Sequence, residues 1–247
     1  MINIDLKGKV ALVTGAGSGL GEATARAFAE AGSAVAILDI RQEAADRVAA
    51  SIAASDMPAL ALQCDVSDAG AVSRAMNTVV EHLGRIDVVV NNAAVDHTVS
   101  IDEMTVEQWD QVIGVNLRGP FLTAKAALPH MKRQGGGHIV NIASTAATRA
   151  WANAAAYHAS KWGLVGFGRG LGVEGREDNI RVTTVIPGGM RTHFFDRFVE
   201  QGIPMPDESN LQDPANVAQT ILFAVAMPKG SDLQEVIVTP RTETSWP

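Results

Sequence analysis

The 247-residue sequence predicts a doubly wound α/β fold, a parallel sheet of about seven strands with helices on both faces. Three observations carry this expectation. Short apolar runs alternate with longer, alanine-rich amphipathic stretches along the chain. The runs are nearly continuous in Val, Ile, Leu and Ala, as strands covered on both faces require. A glycine-rich turn follows the first run, and an acidic residue closes the second about 20 residues later.

Taken in order, residues 10–13, 35–38, 88–90, 139–142 and 182–186 read as buried strands. Residues 19–31, 44–54, 69–83, 106–131 and 157–174 read as the helices between and after them. No repeat, low-complexity segment or linker interrupts the series, so one domain over residues 1–247 is expected. Residues 193–213 break the rhythm with Pro204, Pro206 and several charges, and read as an insertion covering a site.

Charge and composition exclude several function classes. There are 27 Asp+Glu against 20 Lys+Arg and no basic run, which argues against nucleic acid or an anionic membrane as partner. No apolar stretch reaches the ~18 residues a membrane span needs. The opening residues, Met1 to Leu6, lack the basic and apolar regions of a signal peptide, so a cytoplasmic protein is expected. Cys64 is the sole cysteine, which excludes an intramolecular disulfide and a thiolate metal cluster; it reads as a small buried hydrophobe near a strand end. The six histidines form no ligand pair on one helix, and no metal is expected.

The turn Thr14-Gly15-Ala16-Gly17-Ser18-Gly19-Leu20-Gly21 lies between the first strand and a helix. Glycines there let the backbone approach a pyrophosphate, which rests on the amide-rich end of the helix. Asp39 ends the second strand, where a carboxylate accepts hydrogen bonds from an adenosine ribose; it would equally serve as the N-cap of the next helix. Its charge opposes the extra phosphate of NADP. Ser18 and Ile40 bring no offsetting cation and Arg41 is the only one nearby, so NAD is favoured.

The only tyrosine, Tyr157, stands four residues before Lys161, on the same face of a helix. A neighbouring ammonium pulls a phenol down from its ordinary value near ~10, towards the range of a useful acid or base. Ser144 follows the fourth of the strands read above, at the carboxyl edge where ligands bind in open α/β sheets. Asn116 places an amide inside a long helix, where it competes for backbone partners. Singly, Ser144 could be a turn former, Asn116 a core polar group and Lys161 a solvated helix residue.

Together the residues resemble the short-chain dehydrogenase/reductase family. The matches are Thr14-Gly15-x-x-x-Gly19-x-Gly21, Asp65-Val66, Asn91-Asn92-Ala93-Ala94, Asn116, Ser144, Tyr157-x-x-x-Lys161 and Pro187-Gly188, in family order over most of the chain. The resemblance implies a Rossmann fold, an NAD cofactor, hydride transfer to or from a small alcohol or ketone, and a homotetramer. Asp65 and Val66 would flank the adenine, Asn92 would support the middle of the cofactor, and Pro187, Gly188, Met190 and Thr192 would hold its nicotinamide end. Tyr157 would carry the proton, Lys161 would lower its pKa and bond the nicotinamide ribose, Ser144 would bind the substrate oxygen, and Asn116 would hold a relay water.

Three features depart from the family pattern. Ala94 stands where glycine is usual, the helix after Lys161 carries Gly163, Gly166, Gly168, Gly170 and Gly172, and the tail from Arg241 to Pro247 lacks a glycine-rich ending. Interior glycines cost a helix roughly 1 kcal/mol each, so close packing, within the chain or against another subunit, is expected to compensate. The tail is expected to pack on a neighbouring subunit.

Residues placed near the catalytic group by position are Val95, His97, Thr145, Ala146, Trp151, Asn153, Gly189, Met190, Phe194, Phe195 and Phe198. Most are apolar or aromatic, which suits an apolar, cyclic or aryl secondary alcohol or ketone. Trp151 and the phenylalanines would equally serve as core or interface residues. Two rival readings are an NADP-dependent reductase of carrier-bound 3-oxoacyl groups and a non-catalytic NAD-binding sensor. Asp39 and the absence of a basic docking patch argue against the first, and the intact Ser144, Tyr157 and Lys161 against the second.

Overall fold

The computed structural model describes residues 4–200, 202–228 and 230–243. Seven parallel strands form one sheet in the order β3-β2-β1-β4-β5-β6-β7, a Rossmann-like arrangement with helices on both sides. The strands are β1 (Val10–Thr14), β2 (Ala34–Asp39), β3 (Ala59–Gln63), β4 (Val88–Asn91), β5 (Gly137–Ile142), β6 (Ile180–Pro187) and β7 (Glu235–Val238). The helices are α1 (Gly19–Glu30), α2 (Gln42–Ala53), α3 (Ala69–Leu83), α4 (Val106–Ile113), α5 (Gly119–Arg133), α6 (Ala155–Glu174), α7 (Asp196–Glu200) and α8 (Pro214–Val225).

Strand side chains alternate between two cores, as the pleat dictates. Ala11 and Val13 of β1 join Phe28 of α1, Val48 of α2 and Ile221 of α8 on one face. Val10 and Leu12 join Met76 of α3, Met131 of α5 and Leu171 of α6 on the other. Each fully buried side chain of this size contributes about 1.5–3 kcal/mol.

The structure corrects the sequence reading at several points. Residues 106–131 are not one helix: α4 and α5 are separated by a wider turn at Gly114–Arg118, closed by a bond from Gly119 N–H to the Gly114 carbonyl. Pro120 supplies the cause. It has no N–H to offer the carbonyl of Asn116 four residues earlier, and its ring crowds that carbonyl, so the turn widens. The edge strands β3 and β7 and helix α8 also went unassigned. Cys64 lies just beyond β3; it is buried, and burial pushes its thiol up to about 11, so it behaves as the expected inert hydrophobe. Residues 193–213 hold short helical turns and α7. The last tail residues, 244–247, on which the expected subunit contact depends, lie outside the described residues.

Candidate active site

The carboxyl ends of the strands meet a cleft of about 1360 Å³. One half is built on the glycine turn. Gly15 and Gly19 adopt φ of 61° and 55°, open to glycine at little cost. A Cβ on Gly17 would lie 2.7 Å from Asp39 Oδ2, and one on Gly21 would lie 2.2 Å from the Gly15 carbonyl oxygen. Ser18 caps α1 without a side-chain hydrogen bond, so the first N–H groups of the helix are left to the cleft that Ser18, Gly19 and Leu20 line. This positive, side-chain-free cradle fits a dinucleotide phosphate.

Asp39 is buried and both its oxygens are occupied: Oδ2 accepts from Gly17 N–H at 2.8 Å and Oδ1 from Arg41 N–H at 3.0 Å. It therefore shapes the glycine turn, while the N-cap of α2 is Arg41 and not Asp39. The Arg41 guanidinium approaches Asp39 Oδ1 to 3.7 Å from an exposed position. Arg47, absent from the sequence reading, donates to the Gly17 carbonyl at 2.8 Å and to Glu22 at 2.6 Å, and it is the main influence holding the Glu22 carboxyl below its usual range. Asn92 braces the turn from the other side through Nδ2, which donates to the Thr14 carbonyl at 2.9 Å. Asp65 accepts from the Ser67 backbone and hydroxyl at 2.9 and 2.7 Å, which sets the loop after β3.

The other half gathers the reactive side chains. Ser144 stands two residues beyond β5, accepts from Ala146 N–H at 3.1 Å and lines the cleft beside the Tyr157 phenol. Tyr157 and Lys161 sit in the first turns of α6. Lys161 Nζ donates to the Ile142 carbonyl at 2.8 Å and lies 5.5 Å from the centre of the Tyr157 ring. The expected lowering of the phenol is not what this site produces. Burial pushes the Tyr157 phenol above its ordinary value; the Ser144 hydroxyl opposes this, and the Asp96 charge adds to it. Burial also draws the Lys161 ammonium down to about 8, against the pull of Asp96.

Asn116 is fully buried, and its side chain is already employed. Oδ1 accepts from Val95 N–H at 2.8 Å, while Nδ2 donates to the Val95 carbonyl at 2.8 Å and to Ser160 Oγ at 3.1 Å. Both amide hydrogens are thus spent, one on the loop after β4 and one on Ser160 of α6. The group that Pro120 releases is the main-chain carbonyl.

The residues singled out from sequence line the cleft, with five exceptions: Gly17, Gly21, Asn116, Ala146 and His97. The first three support it from behind. His97 instead contacts Gln111 Oε1 through Nε2 at 2.7 Å in an exposed position. Phe194 packs 5.7 Å from Tyr157, with Phe195 and Phe198 edge-to-face in sequence behind it. Sequence reasoning missed Asp96, Arg149, Arg197 and Glu243, which give this apolar wall its charges. Asp96 stood between two residues that were picked, Val95 and His97, and its charge in that loop was the available signal.

Comparison with known proteins agrees with this geometry. Residues 9–202 match the family model for short chain dehydrogenase. A D-threitol dehydrogenase of Mycolicibacterium smegmatis is 42% identical over 182 residues, covering 74% of this chain and 70% of its own. A 3-ketoacyl-(acyl-carrier-protein) reductase from Brucella melitensis, crystallised with NADH, superposes with a TM-score of 0.86 at 32% identity, covering 97% of this chain and 100% of its own. A metagenomic short-chain oxidoreductase in complex with NADP superposes with a TM-score of 0.83 at 33% identity, covering 95% of this chain and 98% of its own. The chain belongs to the short-chain dehydrogenase/reductase family, oxidoreductases whose Rossmann fold binds NAD(P).

Proposed function

We propose that the protein is an NAD-dependent dehydrogenase interconverting a secondary alcohol, apolar or cyclic in its body, with the corresponding ketone. The convergence of Ser144, Tyr157 and Lys161 at the cleft, beside the open N-terminus of α1, carries this reading. The glycine turn, Asp39, Asp65, Val66 and Asn92 would hold the adenosine and phosphates, and Lys161 with residues 187–192 the nicotinamide end. The bound nicotinamide supplies the hydride acceptor for oxidation and the donor for reduction. Asp39 supports NAD over NADP, because a carboxylate suits ribose hydroxyls and repels a phosphate.

Ser144 would donate to the substrate oxygen and stabilise charge developing on it. Tyr157 would take the hydroxyl proton in oxidation and return one in reduction. Its raised pKa keeps the phenol protonated, which is the form that reduces a ketone, whereas oxidation draws on the phenolate. The Asn116 side chain positions the Val95 loop, so the relay water expected at Asn116 would be held by its main-chain carbonyl, which Pro120 leaves without a donor four residues on. Residues 193–213 would cover the substrate, within one domain.

The chain would assemble as a tetramer through α6. Four of the five glycines of that helix divide into two groups, while a Cβ on Gly172 would make ordinary contact with Val182 at 3.6 Å. Gly163 and Gly168 pack within the chain, where a Cβ would meet Leu117 Cδ2 at 2.9 Å and Thr184 Oγ1 at 2.6 Å. Gly166 and Gly170 face open space, beside the exposed Trp162 and Val173. That bare strip suits a second copy.

The decisive experiment follows NADH absorbance with a panel of secondary alcohols. Wild type should turn over at least one, and Tyr157→Phe should abolish turnover while keeping NADH affinity within a few-fold. Ordinary turnover by the purified Phe variant would refute the assignment.

A further inference from the structure

Asp96 sits oddly in an otherwise aromatic wall. Its side chain is only 5% exposed, and Oδ2 accepts from Arg197 Nη2 at 2.8 Å and from the Thr98 hydroxyl at 3.4 Å. Oδ1 is shielded from solvent and meets no hydrogen-bond donor among the described residues. The His97 N–H is near enough to ease the charge of the carboxylate but forms no aligned bond, and burial still raises the carboxyl above its usual range. A buried acceptor left in this state is costly and calls for a donor.

The position of Asp96 tells which donor. It follows Val95, whose backbone is clamped at both ends by Asn116, so it cannot drift from the cleft. It lines the same cleft as Tyr157 and Lys161. Arg197 already neutralises it, and Glu243 in turn pairs with Arg149 at 3.2 Å, so the same cleft holds a second ion pair. An ammonium would crowd the two guanidinium groups and a carboxylate or phosphate the two carboxylates, and an existing ion pair would have to break to offset either. A neutral O–H remains.

We propose that Asp96 is a specificity-determining residue, its Oδ1 accepting a hydrogen bond from a second hydroxyl of a substrate whose first hydroxyl reacts at Tyr157. This rests on the alcohol dehydrogenase reading above. The substrate is then a diol or polyol, its carbon skeleton lying along Phe194 and its second hydroxyl turned to the loop after β4. Arg197 stacks 4.1 Å from the Phe194 ring and 5.0 Å from the Phe198 ring, so the carboxylate is shielded by an element of residues 193–213 that yields as the substrate enters.

The test compares kcat/KM with NAD for butane-2,3-diol against butan-2-ol, and for cyclohexane-1,2-diol against cyclohexanol. Wild type should favour the diol by about tenfold to hundredfold in at least one pair, the value of a charge-assisted hydrogen bond. Asp96→Ala should bring that ratio close to one, and Asp96→Asn, which keeps an acceptor oxygen, should restore part of it. Arg197→Met should raise KM for both alcohols of a pair alike and keep the ratio. NADH affinity and melting temperature report whether each variant is folded. If no pair shows a diol preference in wild type, or if Asp96→Ala keeps it or Arg197→Met removes it as fully, the inference is wrong. If wild type binds NADH but oxidises none of these alcohols nor any other secondary alcohol, the dehydrogenase reading itself has failed.

Discussion

Exchanging Asp39→Ser together with Ile40→Arg should move cofactor preference from NAD towards NADP. In wild type the buried carboxylate ends β2 beside the glycine turn. A ribose hydroxyl bonded to it is worth ~1.5–3 kcal/mol. A phosphate in its place brings like charges to about 5 Å, a repulsion of roughly 3 kcal/mol per unit charge at an effective dielectric of about 20. Arg41, 3.7 Å from the carboxylate and exposed, cancels part of that. The net preference expected for NAD is about tenfold to thousandfold in catalytic efficiency, at ~1.4 kcal/mol per factor of ten. Serine at position 39 keeps an acceptor for the Gly17 N–H, and Ile40 is 61% exposed, so arginine there displaces no core. Kinetic titrations with each cofactor, on wild type and double variant with one accepted alcohol, provide the readout. Wild type using NADP as well as NAD would show that Arg41 outweighs Asp39 and refute the reasoning.

Three further outcomes are expected. Because burial raises the Tyr157 phenol and lowers Lys161 to about 8, oxidation should accelerate and ketone reduction slow as pH rises from neutral into the alkaline range. Initial rates in both directions at fixed saturation test this, and a flat oxidation profile would contradict it. His138 should make the fold acid-sensitive: the Thr183 hydroxyl gives its proton to the Leu233 carbonyl at 2.6 Å, so it accepts from His138 Nε2–H at 2.8 Å, and Nδ1 is left without a partner. Burial first, then Arg181, pushes this histidine down to about 3, so its stabilising contribution is complete above about pH 6.5 and is lost as pH falls towards 3. Between pH 7 and 5 wild type should lose up to about 2 kcal/mol that His138→Leu does not lose, as read by urea unfolding at each pH. Finally, Gly166→Arg should convert the expected tetramer of 26.0 kDa chains into smaller species by light scattering; an unchanged mass, or a wild-type monomer, would remove α6 as the interface.

How far the molecule could be read from its sequence depended on how local each cause was. The strands β1, β2, β4, β5 and β6 announced themselves because a strand covered on both faces must be apolar throughout. The edge strands β3 and β7 are only partly buried, so Ala59–Gln63 and Glu235–Val238 needed no such run. Helix α8 carried a legible start in Asp213 and Pro214, hidden by the irregular stretch before it. The break in the helix at Asn116 was written in Pro120, a single residue inside a pattern that otherwise continued. Ser144, Tyr157 and Lys161 were legible because one strand end and one helix bring them together. The Asp96–Arg197 pair joins residues 101 apart in sequence, and no local pattern foretells such a meeting.

Helix α6 works as a lever. Tyr157 and Lys161 ride near one end of it, and Gly168 presses against Thr184 of β6 some 11 residues, or about 16 Å, from the phenol. The depth to which the phenol enters the cleft is thus gauged by a residue with no side chain, at a point that touches neither cofactor nor substrate. A methyl group added at Gly168 would have to lift the helix off the sheet there, and the far arm would swing. Proton transfer, which is sensitive to tenths of an ångström, would register a substitution that any map of the cleft would pass over.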